Sequence, residues 1–281
     1  GSTGDRALVT KTIQQHGITA IIHFAASIVV PESVADPLGY YSNNTMNTCS
    51  LLDVAIKTGV QQFIFSSTAA VYGNAEQVPV REDAPAVPIS PYGTSKLMSE
   101  IMLHDAGKAH GLRFVVLRYF NVAGADPKLR TGQSTPAATH LIKVACEAAL
   151  GKRAKIEVYG TDYPTPDGTC VRDYIHVVDL AQAHILAMKA IDQKSRVYNL
   201  GNGQGFSVKQ VIDTACKITG HAIPTKAGAR RPGDPAVLIA GSQKIRQELN
   251  WQPRFPGLDE IVQSAWDWHK SHPQGYSDSN D

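Results

Sequence analysis

The stretch Gln62-Phe-Ile-Phe-Ser-Ser-Thr-Ala-Ala-Val-Tyr-Gly73 decides the fold, because an apolar run of strand character leads directly into a cluster of hydroxyl residues. Three further runs have the same character: Ala20-Ile-Ile-His-Phe24, Phe114-Val-Val-Leu-Arg118 and Arg196-Val-Tyr-Asn-Leu200. Nearly continuous β-branched and aromatic runs of this length are typical of strands covered on both faces, as in a parallel sheet.

Helical patterns separate these strands in the first half of the chain. The predicted helices are Ala7–His16, Leu38–Thr58 and Pro91–His110, each followed by a glycine at a position where helices commonly end. Alternation of helix and strand predicts an α/β fold with a doubly wound, Rossmann-like parallel sheet.

The second half is richer in loops and predicts a smaller α+β substrate domain. Its predicted helices are Pro136–Leu150, Val178–Asp192, a helix from Ser207 to Gly220 that opens on a Ser-x-x-Gln capping box, Ser242–Asn250 and Leu258–Ser271. We place the first domain at residues 1–121 plus about 174–204, and the second at 122–173 plus 205–281. The tail 277–281 is expected to lack fixed structure.

Composition excludes several function classes. The chain has 281 residues, with 27 Lys and Arg against 25 Asp and Glu and a net charge of +2, so we expect no nucleic-acid partner. The longest apolar run, Ala20–Val30, is too short to cross a bilayer, and no secretory signal is visible. The four cysteines form no C-x-x-C pair, which argues against a disulfide framework or a metal site and favours a cytoplasmic location.

Tyr92 and Lys96 form a Y-x-x-x-K motif at the start of a predicted helix. The two side chains lie about one turn apart on one face, and an ammonium beside a phenol favours the phenolate, which is a general base near neutral pH. Taken alone, the motif equally fits a tyrosine that anchors a helix start above a solvated lysine.

The hydroxyl cluster Ser66-Ser-Thr68 follows a strand, at the edge where open α/β sheets bind ligands, although an ordinary Ser/Thr turn also fits. A hydroxyl cluster followed by Y-x-x-x-K resembles the short-chain dehydrogenase/reductase superfamily. Its extended branch, which acts on nucleotide sugars, is further indicated by His23-Phe-Ala-Ala26, Tyr40-Tyr-Ser-Asn-Asn44, Ser90-Pro-Tyr-Gly-Thr-Ser-Lys96, Arg118-Tyr-Phe-Asn121 and Val171-Arg-Asp-Tyr-Ile-His-Val-Val-Asp-Leu180. Within that branch, Asp162–Tyr174 and Arg230-Arg-Pro-Gly-Asp234 are most similar to the UDP-glucose 4-epimerase family.

The resemblance implies NAD as cofactor and assigns roles residue by residue. Tyr92 matches the family's catalytic base, Lys96 its partner on the nicotinamide ribose, and Thr68 its proton shuttle. The other positions that the family uses to line NAD are Phe24, Ala25, Ala26, Asn44, Ser66, Ser67 and Tyr119.

The resemblance also implies a UDP-sugar substrate, held by residues of the second half. Asn121, Arg172 and Arg231 match ligands of the diphosphate, Asp234 a ribose ligand, and Tyr159 the uracil-binding stretch. His140 falls where the family often has Asn. Arg231 also fits a plain surface charge beside Arg230, and Asp173 and His176 are interpreted as organising their loop rather than contacting a ligand.

The implied reaction is the 4-epimerisation of UDP-glucose and UDP-galactose by transient oxidation and re-reduction at C4, a step of galactose metabolism. A nucleotide-sugar dehydratase would carry Asp-Glu where this chain has Ala69 and Ala70. A UDP-uronate or UDP-N-acetylhexosamine epimerase and a non-catalytic nucleotide-binding fragment stay open. Leu238 falls where residue size limits the sugar pocket, and it favours the plain hexoses over the acetylated pair.

Two further expectations come from the family. Its members pair as homodimers, which predicts a dimer through the helices Leu38–Thr58 and Pro91–His110, with Leu51, Leu97 and Ile101 exposed. The family also opens with a strand and a G-x-x-G-x-x-G turn that holds the NAD pyrophosphate, and Gly1-Ser-Thr-Gly4 does not match it. We therefore expect these 281 residues to need such a unit for NAD binding and activity.

Overall fold

The computed structural model describes residues 1–136, 138–191 and 194–276. The chain divides into two compact units. The first consists of Gly1–Tyr119, Ala183–Leu200 and Gly241–Trp251, and the second of Phe120–Gln182, Gly201–Ala240 and Gln252–Asp281.

The helices and strands are numbered in chain order. The strands are β1 (Ala20–His23), β2 (Gln62–Thr68), β3 (Arg113–Tyr119), β4 (Asn121–Ala123), β5 (Ile156–Tyr159), β6 (Val171–His176), β7 (Arg196–Leu200), β8 (Gly205–Ser207), β9 (Thr225–Gly228) and β10 (Val237–Leu238). The α-helices are α1 (Arg6–His16), α2 (Val30–Ala35), α3 (Pro37–Tyr40), α4 (Asn47–Lys57), α5 (Pro91–His110), α6 (Leu141–Ala149), α7 (Val177–Ala190), α8 (Val208–Thr219), α9 (Gln243–Leu249) and α10 (Leu258–Ser271).

The first unit is built on a parallel sheet of order β1-β2-β3-β7. All four strands come from the apolar runs that the sequence singles out, and the predicted α/β class is confirmed. Phe63, Phe65, Phe114 and Val116 of the two central strands are buried against Leu103 of α5. Because β2 and β3 are parallel and in register, Ser66, Ser67 and Thr68 lie beside Leu117, Arg118 and Tyr119 at the same sheet edge.

Helix α5 has the predicted bounds. The Ser90 hydroxyl accepts from the Gly93 amide at 3.2 Å, Pro91 occupies the first turn, and Gly111 ends the helix with φ 70°. A Cβ on Gly93 would lie 2.5 Å from the Ala70 carbonyl oxygen, so this glycine lets the helix start approach the turn that follows β2.

The segment predicted as one helix, Leu38–Thr58, is instead built from three pieces. Between α3 and α4 lies a wide π-helical turn, Tyr41–Met46. Its Asn44 is 2% exposed, and the amide bonds both the N–H and the C=O of Ser27 and the hydroxyl of Ser95. These buried hydrogen bonds favour the wide turn over a regular helix, a preference that hydrophobic periodicity does not reveal. Helix α2 was also not expected.

The expectation that Leu51 is exposed is wrong. Its side chain is 5% exposed and packs into the core with Phe63 and Phe65, whereas Ile101 is 53% exposed and Leu97 half-buried.

The second unit contains a mixed sheet in which β6 pairs in parallel with β4 and β10 and antiparallel with β8, together with the parallel pair β5 and β9. Helices α6, α8 and α10 pack around a core that includes Ile142, Cys146, Val211 and Trp266. The Ser207–Gln210 capping box of α8 is confirmed.

One helix start in this unit differs from the expectation. The helix predicted from Pro136 begins only at Leu141, so His140 lies in extended backbone just before it. Residue 137, the end of the helix predicted to reach Asp192, and the tail 277–281 lie outside the described residues. Among the described helices, none has the length and apolarity that crossing a membrane requires.

Candidate active site

The hydroxyl cluster and the Y-x-x-x-K motif come together in the first unit. Thr68 closes β2 and caps a short 3₁₀ turn, Ala69–Tyr72, by accepting from the Ala70 amide at 3.1 Å. Tyr92 lies in the first turn of α5, near enough to Thr68 for that side chain to influence the pKa of its phenol. The strand end and the helix start therefore bring the two hydroxyl-bearing side chains close together.

Burial raises the pKa of Tyr92 above its usual value of about 10, and the nearby Thr68 side chain opposes the rise only in part. This differs from the expectation of a phenolate favoured by the neighbouring lysine. The Lys96 ammonium is instead directed at the Ser66 carbonyl, 2.9 Å away. Tyr92 is therefore a proton donor in this state, and its use as a base needs positive charge nearby.

Lys96 is a buried cation. It is 3% exposed, donates to the Ser66 carbonyl and lies 4.9 Å from the centroid of the Phe65 ring. Burial lowers its pKa to about 8, and the Glu100 carboxylate opposes this effect. A lysine of this kind changes charge within a mildly alkaline range of pH.

The remaining residues predicted to line NAD also belong to the first unit. Phe24 and Ala25 are exposed and Ala26 half-buried at the end of β1, and the Phe24 ring lies 4.9 Å from that of His184. Tyr119 ends β3, and burial raises its pKa. Asn44 is engaged with Ser27 and Ser95, and any role for it in cofactor binding stays a prediction.

Sequence reasoning missed a buried ion pair behind this cluster. Glu100 of α5 and Arg118 of β3 are 2% and 7% exposed, and their closest N–O distance is 2.6 Å. Ser67, at 1% exposed, donates its hydroxyl to the same carboxylate. A signal existed in the sequence, because Arg118 ends the otherwise apolar run Phe114–Arg118 and a charge in that position needs a partner.

In the second unit, Asn121 and His140 line one small cavity. Asn121 of β4 and Tyr174 of β6 both line it, and the His140 ring lies 2.9 Å from the Gln133 amide. Burial lowers the pKa of His140, with a smaller contribution from Lys143. The cavity measures about 30 Å³, which is room for a water molecule and not for a nucleotide.

The arginines of the second unit are held by acids and aromatic rings. Arg172 on β6 is 8% exposed and forms an ion pair with Asp234 at 3.4 Å. The Arg231 guanidinium lies 3.7 Å from the centroid of the Tyr159 ring. Two cations ordered in this way have the fork geometry that suits phosphate oxygens, and the stacked ring offers an apolar plane.

The contacts of Asp173 and His176 agree with a structural role. The Asp173 carboxylate accepts from the backbone N–H groups of Asn202, Gly203 and Ala240 at 2.9 to 3.1 Å. His176 accepts from the Val178 amide and pairs with the Ser264 hydroxyl. Both side chains organise loops around β6.

The predicted catalytic residues lie together at one edge of the sheet. Thr68 ends β2, Tyr92 lies in the first turn of α5 and Lys96 one turn further along, at the edge where open α/β sheets bind ligands. Residues 1–201 match the model of the NAD dependent epimerase/dehydratase family. The chain belongs to this family, which confirms the resemblance seen in the sequence.

The particular relatives narrow the class. The chain is 55% identical to the UDP-glucose 4-epimerase of Azospirillum brasilense over 98% of this chain and 79% of that protein. It superposes with a TM-score of 0.95 on UDP-glucose 4-epimerase from Bifidobacterium longum in complex with NAD+ and UDP, at 41% identity over 98% of this chain and 83% of that one. The UDP-Glc/GlcNAc 4-epimerase of Campylobacter jejuni is 48% identical, with a TM-score of 0.82 over 96% of this chain and 83% of that one.

The buried ring of His23 predicts a dependence of stability on pH. It pairs with the Thr48 hydroxyl at 3.0 Å, and burial, followed by the charge of Lys96, lowers its pKa from 6.5 to about 4. The unfolded chain therefore binds more protons, so the stabilisation is present above pH 6.5 and is lost as the pH falls towards 4. Between pH 7 and pH 5 we expect the wild type to lose about 2 kcal/mol more than His23→Gln.

Urea unfolding at pH 7, 6 and 5 measures this difference. His16→Gln, at an exposed position, serves as the matched control and should follow the wild type. Equal losses for the wild type and His23→Gln would contradict the argument.

Proposed function

We propose that this protein interconverts UDP-glucose and UDP-galactose by inverting C4 of the sugar, with NAD as a bound cofactor. The observation that carries the proposal is the placement of Thr68 at the end of β2 and Tyr92 in the first turn of α5, with the Lys96 ammonium buried one turn further along the helix and bonded to the Ser66 carbonyl. Membership of the NAD dependent epimerase/dehydratase family and the closely similar UDP-glucose 4-epimerases support it.

The residues present fit the nicotinamide ribose end of NAD. Lys96 is a buried donor, Ser66 and Thr68 add hydroxyls at the same strand end, and Phe24 presents a ring that is 56% exposed at the end of β1. A ribose needs hydroxyl and ammonium partners of this kind, and an exposed aromatic ring suits a flat heterocycle. When bound, NAD supplies the acceptor for the C4 hydride and returns it to the opposite face.

Tyr92 is proposed to take the proton of the sugar's 4-hydroxyl group and to give it back, with Thr68 relaying it. Burial alone opposes this role, because it raises the pKa of the phenol. For this role, the Lys96 ammonium on the same helical face would have to turn its positive charge towards the phenol and so favour the phenolate. Lys96 therefore serves the reaction only while it is charged.

The second unit is proposed to hold the UDP part of the substrate. Arg172 and Arg231 would bind the diphosphate, Asn121 and His140 would add hydrogen bonds to it, Tyr159 would lie against uracil, and Asp234 would bind ribose. The Arg172–Asp234 ion pair and the stacking of Arg231 on Tyr159 support these roles, because they keep the two cations in fixed orientations. We thus propose that the first domain binds NAD and that the second binds the UDP-sugar.

The acetylated hexoses are a second candidate substrate. The similarity to the UDP-Glc/GlcNAc 4-epimerase of Campylobacter jejuni favours it, and the buried Leu238 beside Arg172 opposes it. Elimination of water is disfavoured, since Ala69 and Ala70 bring no acid to the turn after β2. The cytoplasmic location remains a prediction, as does the homodimer through the helical segments 38–58 and 91–110.

Replacing Tyr92 by Phe deletes one oxygen and preserves the ring. We expect kcat for UDP-galactose to fall by about 10² to 10⁴-fold, since proton transfer by a positioned side chain contributes about that much. KM and the circular dichroism spectrum should be unchanged. Tyr276→Phe removes the same atom from a side chain that is 52% exposed and should retain full turnover. Turnover of Tyr92→Phe within a few-fold of wild type would exclude Tyr92 as the base.

Shortening Leu238 tests the sugar pocket. Leu238→Ser should raise kcat/KM for UDP-N-acetylglucosamine by about tenfold, equivalent to about 1.4 kcal/mol, and leave that for UDP-glucose nearly constant, because a small residue gives room to the acetyl group. Val237→Ser, at the neighbouring strand position, controls for a general effect of serine in β10. If kcat/KM for UDP-N-acetylglucosamine relative to kcat/KM for UDP-glucose is the same in Leu238→Ser as in the wild type, Leu238 does not limit the sugar pocket.

The oligomeric state can be tested by light scattering at micromolar concentration, where we expect twice the monomer mass. Ile101→Glu places a charge on the proposed face of α5 and should yield monomers, whereas Ile185→Glu on α7 alters an isoleucine of similar exposure, 51% against 53%, and should not. A monomeric wild type would overturn the dimer.

A further inference from the structure

We propose that Glu100 is a positioning residue of this site, whose carboxylate, clamped by Arg118 and Ser67, holds the Lys96 ammonium in its charged state against the end of β2. The inference rests on the proposed function. It adds a residue to the machinery that does not touch substrate or cofactor and acts through Lys96.

Hydrogen bonds from Arg118 and Ser67 hold the Glu100 carboxylate in place. The Arg118 Nη2 atom donates to one carboxylate oxygen at 2.6 Å, and its Nε atom lies 3.1 and 3.2 Å from the two oxygens. The Ser67 hydroxyl donates to the same group from β2. The carboxylate is thus fixed from two neighbouring strands, and its charge cannot turn away to solvent at 2% exposure.

The clamp is itself anchored. Arg118 Nη1 donates to the Tyr72 hydroxyl at 2.9 Å, and Tyr72 donates to the Asn199 side chain at 2.7 Å. The Asn199 amide group donates to the Val80 carbonyl, and its backbone N–H donates to Glu82. This chain of hydrogen bonds runs from α5 through β3 to β7, so all three elements hold the carboxylate in one place.

Glu100 follows Lys96 by one helical turn, on the same face of α5. The groups that face Lys96 are few among the described residues. Tyr92 and Glu100 lie on its own helix, His23 on β1, and Phe65 on β2, and Arg118 of β3 stands behind Glu100. His23 is neutral near pH 7, because burial and Lys96 lower its pKa to about 4. Glu100 is therefore the anion that offsets the cost of burying the ammonium.

The effect of Glu100 on Lys96 should appear at alkaline pH. Burial lowers the pKa of Lys96 to about 8, with Glu100 acting in the opposite direction. Without the carboxylate, Lys96 would lose its proton at a lower pH, and the charge that favours the Tyr92 phenolate would go with it. The pH at which Lys96 loses its charge would thus depend on Glu100, which is not itself one of the reacting groups.

The test compares Glu100→Gln with Glu100→Asp in the full-length protein. Glutamine preserves the shape and removes the charge, whereas aspartate preserves the charge. The direct readout is the pH titration of the Lys96 ¹³Cε resonance in lysine-labelled protein, identified by its absence in Lys96→Met. We expect the midpoint to fall by about one pH unit in Glu100→Gln and to stay in place in Glu100→Asp.

Kinetics supply the second readout. In Glu100→Gln, the alkaline decline of kcat for UDP-galactose should occur about one pH unit lower than in the wild type. At pH values above both Lys96 midpoints, kcat should therefore be about tenfold lower, with KM unchanged. Glu82→Gln removes a carboxylate from the far end of the same hydrogen-bonded chain and should leave the Lys96 midpoint unmoved.

If Glu100→Gln does not fold, the double variant Glu100→Gln/Arg118→Gln removes the buried guanidinium that Glu100→Gln alone would leave without its carboxylate, and its Lys96 midpoint should still lie below that of the wild type. An unmoved midpoint, or a uniform loss of activity at every pH, would overturn the proposal and leave Glu100 a structural residue. A wild type that binds NAD but does not turn over UDP-galactose would instead overturn the proposed function, and the resonance titration would still decide whether Glu100 sets the charge of Lys96.

Discussion

A buried charge must have a partner, and the Glu100–Arg118 pair is the constraint on which the first unit's site depends. Desolvating either ion alone is costly, so helix α5 and strand β3 have to meet wherever these two residues meet. Ser67 extends the pair to β2. Tyr92 and Lys96 precede Glu100 on the same helix, and they reach the strand end because the pair fixes the helix against the sheet.

The second unit solves a similar problem with backbone donors. The Asp173 carboxylate is 1% exposed and accepts hydrogen bonds from the N–H groups of the adjacent residues 202 and 203 and of residue 240, which lies far from them in the chain. Asp179 binds the amides of Arg254 and Phe255 in the same way. Loops that would otherwise expose polar backbone are thereby tied to β6 and to the helix that follows it.

The sequence predicted the α/β class, the four strands of the first unit and the limits of α5, because those elements follow from apolar periodicity, Ser90 and Gly111. That Thr68 lies near Tyr92 was implied by the family resemblance alone, because spacing along the chain does not say which strand end a helix start meets. The Glu100–Arg118 pair was missed, since pairing between residues on different elements is set by packing rather than by spacing. The predicted start of α6 at Pro136 was wrong. The alanines near Pro136 are favourable in a helix, so nothing in the sequence indicated that the helix begins only at Leu141.

The wide turn Tyr41–Met46 has a consequence for how this segment tolerates change. Tyr40, Asn44, Thr48 and Leu52 are all buried at intervals of four residues, although a regular helix would carry such a series steadily around its axis. The wide turn absorbs part of that drift. Deleting one residue would rotate everything downstream by about 100°, turning Leu52 towards solvent. A substitution in this segment affects a single position, whereas an insertion or deletion changes the orientation of every side chain of α4. The length of the segment is therefore constrained by the structure as well as its composition.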